Sequence, residues 1–310
     1  RKESSAASDV YKRQGYDTAF YYGGGTNWRD LDKFLPLQNY KELVGQEEIA
    51  KRYQLDLEQD AAPWGLWDEH LFRAVSDRLK EAERPIFMVV FTTTNHPPNQ
   101  LPANFDLPEL NPSKSFLQLA AGEQDLSAIQ QQQILTYQYS NHQLGHFLDD
   151  LETSGIANDT VIGITGDHTA GMGIPFAQSE LILKRAVPFV LLTPDSISEQ
   201  YQANPLTPGS HKDVIPTLFH AAGLGNRGYK GLGTSLLDNS IYHFGCNADG
   251  FVIYDGGLAN MRQDGFDSYK WSGNGYLIND EPDDENAEMA VNRYKAIVSL
   301  CDWLIFSFSN

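Results

Sequence analysis

TVIGITGDH, residues 160–168, is the stretch whose reading decides the fold. Residues 160–165 are apolar and β-branched, and they run directly into Gly166, Asp167 and His168. A short continuous run of this kind predicts a strand buried on both faces, with chemistry-bearing residues at its carboxyl end. Working outward, IFMVVFTTT (residues 86–94) and VPFVLL (residues 187–192) read the same way. Helices are predicted between these strands. Leu71, Phe72, Val75 and Leu79 recur at helical spacing behind Asp68, an expected N-cap, and Pro85 follows the end of that helix. A longer helix is predicted over residues 126–154, closed by Gly155 at the C′ position, and another over residues 213–222, closed by Gly223. Strands alternating with helices predict an α/β fold: a mostly parallel sheet with helices on both faces.

The flanks complete the outline. Residues 15–22 predict a strand that enters the Gly23-Gly24-Gly25 turn, and residues 41–53 predict a helix. Residues 99–125 form a long polar loop. After Tyr229, FVIYDGG (residues 251–257) and GYLIND (residues 275–280) predict antiparallel strands, and residues 285–300 a closing helix. No internal repeat is evident. The expected organisation is a segment 1–14 outside the fold, a catalytic α/β part over 15–236, and a small antiparallel β/helix portion over 237–310.

Bulk composition narrows the function. The chain has 310 residues, 41% of them hydrophobic and 21% charged, which is globular rather than disordered. A net charge of −18 repels nucleic-acid phosphates and anionic membrane surfaces alike, so no nucleic-acid partner is expected. An anionic substrate would need metal ions or a few Arg and Lys residues. Two cysteines, Cys246 and Cys301, leave a single disulfide and two free thiols equally open. No apolar run is long enough to span a bilayer, and no signal peptide is visible. Residues 4–14, SSAASDVYKRQ, lack a hydrophobic period and resemble a translated sequencing-library adapter. On that reading the native sequence begins near Gly15, so the lack of a leader carries no information.

Ligands in open α/β sheets bind at the carboxyl ends of the strands, so the residues there are the site candidates. Asp167 and His168 pair a carboxylate with an imidazole, a donor set suited to a divalent cation. The alternative is an Asp that caps the next segment beside a surface His. His96, in TTTNHPP, is held by two prolines that predict an extended exit, and it can donate to a phosphoryl oxygen; a loop His without a role is the alternative. His211 stands at a predicted helix start, where anions bind, although capping by Ser210 or Asp213 explains that start as well. Trp28 and Arg29 follow the glycine turn, and Arg can clamp a phosphate while Trp stacks on a glycerol or sugar. His142 and His146 share a helix face but lack the Glu of a zincin. His70, His220 and His243 form no constellation.

Taken in order, YGGGTNWR, WGLWDEHLF, TTTNHPP, YSNHQLGHFLDDLETSGIANDTVI, TGDH, VPFVLLTP and SHKDVIPTLFHAAGL resemble the lipoteichoic acid synthase and phosphoglycerol transferase family. This is a sulfatase-like branch of the alkaline phosphatase superfamily, and the resemblance runs from about Gly15 to Leu236. It implies a phosphoglycerol transferase that cleaves a phosphatidylglycerol-type phosphodiester and passes glycerol phosphate to a glycan or polymer acceptor. It also implies a divalent metal, Mn2+ first, with Mg2+ or Zn2+ as alternatives. Asp167 and His168 match the family's Asp-His ligands, and His96 matches a substrate-binding His. Trp28 and Arg29 match, across a small gap, residues that hold glycerol phosphate.

The family's Glu ligand and Thr nucleophile have no counterpart in this chain and are expected upstream of residue 1. The catalytic residue is therefore absent, and the isolated chain is expected to be inactive. The resemblance places such enzymes on the periplasmic or exterior face of the membrane, held by an N-terminal anchor that this chain lacks. Two other functions fit the same corner. One is a sulfatase, phosphodiesterase or phosphoethanolamine transferase of the superfamily. The other is a non-catalytic envelope-binding module.

Overall fold

The computed structural model describes residues 7–103, 105, 126–169, 176–201, 203–225, 231–273 and 277–308. The chain divides into two units, residues 1–160 with 170–175 and residues 161–169 with 176–310.

The first unit is built on a parallel sheet. Helix α1 (Ala7–Arg13) precedes β1 (Asp17–Tyr22), followed by α2 (Leu31–Leu37), β2 (Glu42–Val44) and α3 (Gln46–Tyr53). A two-residue hairpin, β3 (Ala61–Ala62) and β4 (Gly65–Leu66), leads into α4 (Asp68–Lys80), β5 (Ile86–Phe91) and the long α5 (Ala128–Thr153). The strand order is β2-β1-β5, all parallel, with Ala19 opposite both Glu42 and Met88. Ala19, Tyr21, Ile49, Leu66, Leu71, Ala74 and Val75 form the core beneath α3 and α4. Leu66, Leu71 and Val75 are fully buried, each stabilising the unit by about 1.5–3 kcal/mol. The other face of β1 packs Phe20 and Tyr22 with Leu35 of α2.

Helix α5 starts and stops as its sequence predicts. Ser127 and Gln130 form a reciprocal capping box, and Gly155 follows in a left-handed conformation at φ 77°. Lys80 pairs with Asp150 at 2.7 Å and Ser76 bonds the same carboxylate, fastening α4 to α5.

Several expectations are corrected in this unit. Residues 41–53 are not one helix: residues 42–44 pair with β1, and extended Gly45 separates them from α3. Strand β5 ends at Phe91 rather than continuing to residue 94, because Thr93 and Thr94 turn inward to hydrogen-bond the Leu66 carbonyl and Asp68. Asp68 is the first residue of α4 instead of its cap, and its carboxylate serves Thr94. Residues 7–13, read as lacking any element, form α1. Val10 and Tyr11 are buried there, and Tyr11 stacks on Phe87 at 4.1 Å. The loop over 99–125 lies largely outside the described residues.

The second unit holds β6 (Ile162–Thr165), β7 (Phe189–Leu192), the short α6 (Asp195–Ser198) and α7 (His211–Ala221). It continues with β8 (Phe244–Cys246), β9 (Phe251–Tyr254), β10 (Gly257–Arg262), β11 (Gly265–Ser272), β12 (Leu277–Ile278) and α8 (Asp284–Phe308). β6 and β7 are antiparallel, with Gly163 opposite Leu191, so residues 187–192 do not extend a parallel sheet. Neither strand is buried on both faces: Gly163, Thr165, Val190 and Leu192 are exposed, while the opposite residues are half-buried. Leu218 of α7 and Phe189 lie against Gly163, close enough that a side chain there would crowd them. The C-terminal strands form the expected antiparallel sheet, ordered β12-β11-β10-β9-β8. Helix α8 covers it with Ala287, Ala290 and Val291 and extends eight residues past the predicted end.

Candidate functional site

In the first unit, the candidate residues hang from the carboxyl edge of the parallel sheet. β1 leaves through Gly23-Gly24-Gly25, whose carbonyls are taken by neighbours: Gly23 accepts from Leu66 N–H at 2.8 Å and Gly24 from Gln46 N–H at 3.0 Å. Gly65 has φ 155°, and any Cβ there would collide with the Gly23 carbonyl. This close backbone approach sets the hairpin β3–β4 against the end of β1.

Trp28 follows in a 3-10 turn (Trp28–Asp30), with Arg29 and Asp30 both in left-handed conformations at φ 49° and 58°. Non-glycine residues rarely take this conformation, and here it turns both outward. Trp28 is 37% exposed, its ring 6.1 Å from Tyr22 and 6.4 Å from Phe91. The Arg29 guanidinium lies over Trp28 at 5.0 Å, a cation–π pair facing solvent. The two therefore offer a flat ring and an unburied cation at one place.

His96 lies beyond β5. The two prolines do not draw the chain into an extended exit. His96 N–H bonds Thr93 O at 3.0 Å and Asn99 N–H bonds His96 O at 3.1 Å, so the segment folds into successive tight turns. Asn99, itself at φ 61°, closes them through a 3.1 Å bond to the Asn95 carbonyl. The floor of these turns is Asp68. Its buried carboxylate accepts from Thr94 Oγ1 at 2.8 Å and from Thr94 N–H at 3.4 Å. Burial pushes this carboxyl above the usual range, opposed by the hydrogen bonds from Thr94. His96 is exposed, and its ring lies 4.1 Å from that of Trp64. Both Trp64 Nε1 and His96 Nδ1 bond the Pro97 carbonyl, at 2.8 and 2.9 Å. Trp64 was not among the residues singled out from sequence. It is 42% exposed, unusual for so large a ring, and that exposure is the signal only a structure supplies.

In the second unit, Asp167 and His168 follow β6 directly. Asp167 Oδ1 accepts the His168 N–H at 2.9 Å, and His168 Nδ1 donates to the Thr169 carbonyl at 2.9 Å. A carbonyl only accepts, so Nδ1 carries the proton and Nε2 of the neutral ring is a bare lone pair. That lone pair lies 3.5 Å from Asp167 Oδ2. A protonated ring pairs with the carboxylate across this gap, and a divalent cation can join the neutral ring to it. Metal bonds of about 2.0–2.2 Å at a tetrahedral angle span roughly 3.3–3.6 Å, so the donor atoms fit. Both side chains are exposed. His211, the first residue of α7, reaches back to this corner, its Nε2 2.7 Å from the Gly166 carbonyl. Asp213 supplies the capping bond to Ser210 N–H at 3.0 Å and is itself neutralised by Lys212. His211 is thus free of the capping task and instead braces the chain before Asp167. Among the described residues, no cluster of three or more His, Cys, Asp or Glu side chains forms a complete metal cage.

The remaining histidines bear no comparable arrangement. His142 and His146 pack edge to face at 4.3 Å beside Phe105. Burial pushes the His70 pKa down, and His220 and His243 bond Ser235 and the Asp238 carbonyl. Among the described residues, no helix is long and apolar enough to cross a membrane.

Comparison with known proteins shows the family and the fold. The sulfatase family model matches residues 3–224. A lipoteichoic acid synthase-like protein of Bacillus subtilis, YvgJ, is 26% identical over 205 residues, covering 61% of this chain and 31% of the relative. The chain spans about a third of the length of the curated relatives it matches. The solved lipoteichoic acid synthase LtaP of Listeria monocytogenes superposes with a TM-score of 0.71 at 15% identity, covering 96% of this chain and 72% of that one. An alkaline phosphatase superfamily protein of Vibrio parahaemolyticus superposes with a TM-score of 0.69 at 19% identity, over 98% and 71%. The shared fold is alkaline-phosphatase-like, an α/β sheet flanked by helices with a C-terminal antiparallel sheet. With its family model matched over residues 3–224 and lipoteichoic acid synthases among its relatives, the chain belongs to the sulfatase family.

Proposed function

We propose that this chain is part of a metal-dependent phosphoglycerol transferase that works on phosphatidylglycerol-type phosphodiesters outside the cytoplasm. The observation that carries the reading is the Asp167–His168 corner, where His168 Nε2 and Asp167 Oδ2 lie 3.5 Å apart directly after a strand. Asp167 and His168 would hold a divalent cation, Mn2+ by family resemblance, which when bound neutralises phosphoryl oxygens and activates a hydroxyl. The Thr169 carbonyl fixes the His168 tautomer, and His211 holds the Gly166 carbonyl so that Asp167 keeps its direction.

Arg29 brings the positive charge that a phosphodiester needs on a chain of net charge −18. Trp28 brings a flat apolar surface for the glycerol carbons, and His96 a ring nitrogen for a phosphoryl oxygen. A Thr nucleophile and a Glu ligand in the family's context are not found in these 310 residues, and we propose that they are supplied by sequence outside them. The acceptor is a glycan or polymer hydroxyl.

Two measurements test the reading. Mn2+ titration of the 310-residue chain, followed by the electron paramagnetic resonance signal of free Mn2+, should show weak binding that Asp167→Ala abolishes. Diacylglycerol release from fluorescent phosphatidylglycerol should be absent with this chain and present with the full-length gene product plus Mn2+. A full-length protein that binds no divalent metal, or that works equally well as Asp167→Ala, would sink the proposal. Hydrolysis of sulfate esters with no phosphatidylglycerol cleavage would transfer the chain to a sulfatase reading.

A further inference from the structure

The C-terminal sheet carries a feature unrelated to the metal corner. β8 is the edge strand of the five-stranded sheet. Phe244 and Cys246 are two residues apart and so share one of its faces, while Gly245 on the other face lies against the Gly209 carbonyl. Phe244 is buried in the cluster with Ala287, Ala290 and Val291 of α8, so the Phe244–Cys246 face is the one that α8 covers. Cys246 packs on that cluster together with Tyr294 and Ile297.

On α8 these partners follow a helical stripe through residues 287, 290, 291, 294 and 297. The next position on the stripe is Cys301, one turn after Ile297 and two turns after Tyr294. Both sulfurs are half-buried thiols in the structure, and burial pushes the Cys246 thiol's pKa up, with a smaller contribution from Cys301. Among the described residues neither cysteine belongs to a metal-binding cluster.

We propose that Cys246 and Cys301 are a disulfide pair, which when oxidised staples the edge strand β8 to the last turns of α8. The oxidant is a disulfide donor of the glutathione class. One cysteine thiolate attacks the donor's S–S bond and releases one donor thiol. The other cysteine thiolate then attacks the mixed disulfide and releases the second. One protein S–S bond forms, the donor disulfide is reduced to two thiols, and the two cysteine protons end on those thiols. The staple closes a long loop and fastens an edge strand that otherwise pairs on one side only.

The test uses the whole 310-residue chain incubated with oxidised glutathione, then quenched with an alkylating agent and digested without reductant. The expected result is loss of both alkylatable thiols, one peptide pair joined through Cys246 and Cys301, and a rise in melting temperature of roughly 5–10 °C that reductant reverses. Cys301→Ser should leave only a glutathione adduct on Cys246 and no such rise. Alkylation of both thiols after oxidation would overturn the proposal. So would separate glutathione adducts on each cysteine, or a cross-link that forms as fast in denaturant as in buffer. None of these outcomes bears on the metal corner, whose own test is Mn2+ binding.

Discussion

Trp64 and His96 share one acceptor: both ring N–H groups point at the Pro97 carbonyl, while the rings lie 4.1 Å apart. The shared carbonyl fixes His96 with its proton on Nδ1 and leaves Nε2 bare in the neutral form. A neutral His96 therefore accepts through Nε2 and donates to a phosphoryl oxygen only as imidazolium. In a 15N-labelled chain, His96 should show a pyrrole-type Nδ1 and a pyridine-type Nε2. A ring protonated on Nε2 instead would refute the arrangement. Trp64→Phe keeps the ring contact but removes one donor. Glycerol phosphate affinity, read by tryptophan fluorescence, should fall roughly 2–10-fold.

Asp68 should give the chain a stability that falls as pH rises. Burial raises its folded carboxyl above the unfolded value near 3.9. A group raised on folding stabilises fully below its unfolded value, and that contribution is lost as pH climbs to the folded one. Asp68→Asn keeps an acceptor for Thr94 and removes the titration. The difference between variant and parent should shift in favour of Asn from pH 4 upward, read as urea midpoints across the range. A constant difference would mean that Asp68 does not titrate on folding.

Gly65 should tolerate no side chain. Its φ of 155° and the Gly23 carbonyl beneath it both oppose a Cβ. Gly65→Ala should cost about 2–4 kcal/mol in chemical denaturation and should weaken glycerol phosphate binding by moving Trp64. Gly223→Ala, also left-handed but with open space around it, should cost less than half as much.

The parts of this molecule legible in its sequence are those set by local pattern. β5 could be read because six consecutive apolar residues allow little else, and the end of α5 because Gly155 marks it. β2 could not be read, because Leu43 and Val44 fit the helical period of the residues after Gly45, and only pairing with β1 makes them a strand. The direction of β7 is likewise a long-range fact: residues 187–192 carry no mark of whether they run with or against β6. α1 escaped because its stabilisation comes from Tyr11 stacking on Phe87, far along the chain, rather than from any period of its own. The positions of Asp167, His168 and His96 beyond strand ends were legible because the apolar runs before them read as strands. Trp64 was not, because its role rests on a carbonyl it shares with a residue more than thirty positions away.

His211 gives the sharpest test of the metal corner. Its Nε2 meets the Gly166 carbonyl at 2.7 Å, and since a carbonyl cannot donate, the proton must lie on Nε2. His211 is then a donor rather than a metal ligand through that nitrogen, and it acts by holding the peptide that precedes Asp167. Removing such an outer support typically costs 10–100-fold in metal affinity. His211→Ala should therefore weaken Mn2+ binding by about that factor. His211→Gln, which can still donate to the carbonyl, should recover part of the loss. Asp167→Ala and His168→Ala, which remove donor atoms, should abolish binding. If His211→Ala bound Mn2+ as well as the parent while Asp167→Ala did not, the corner would be a metal site that stands without its brace. If neither substitution mattered, the two facing acceptors at 3.5 Å would be joined by a proton, as an Asp167–His168 ion pair.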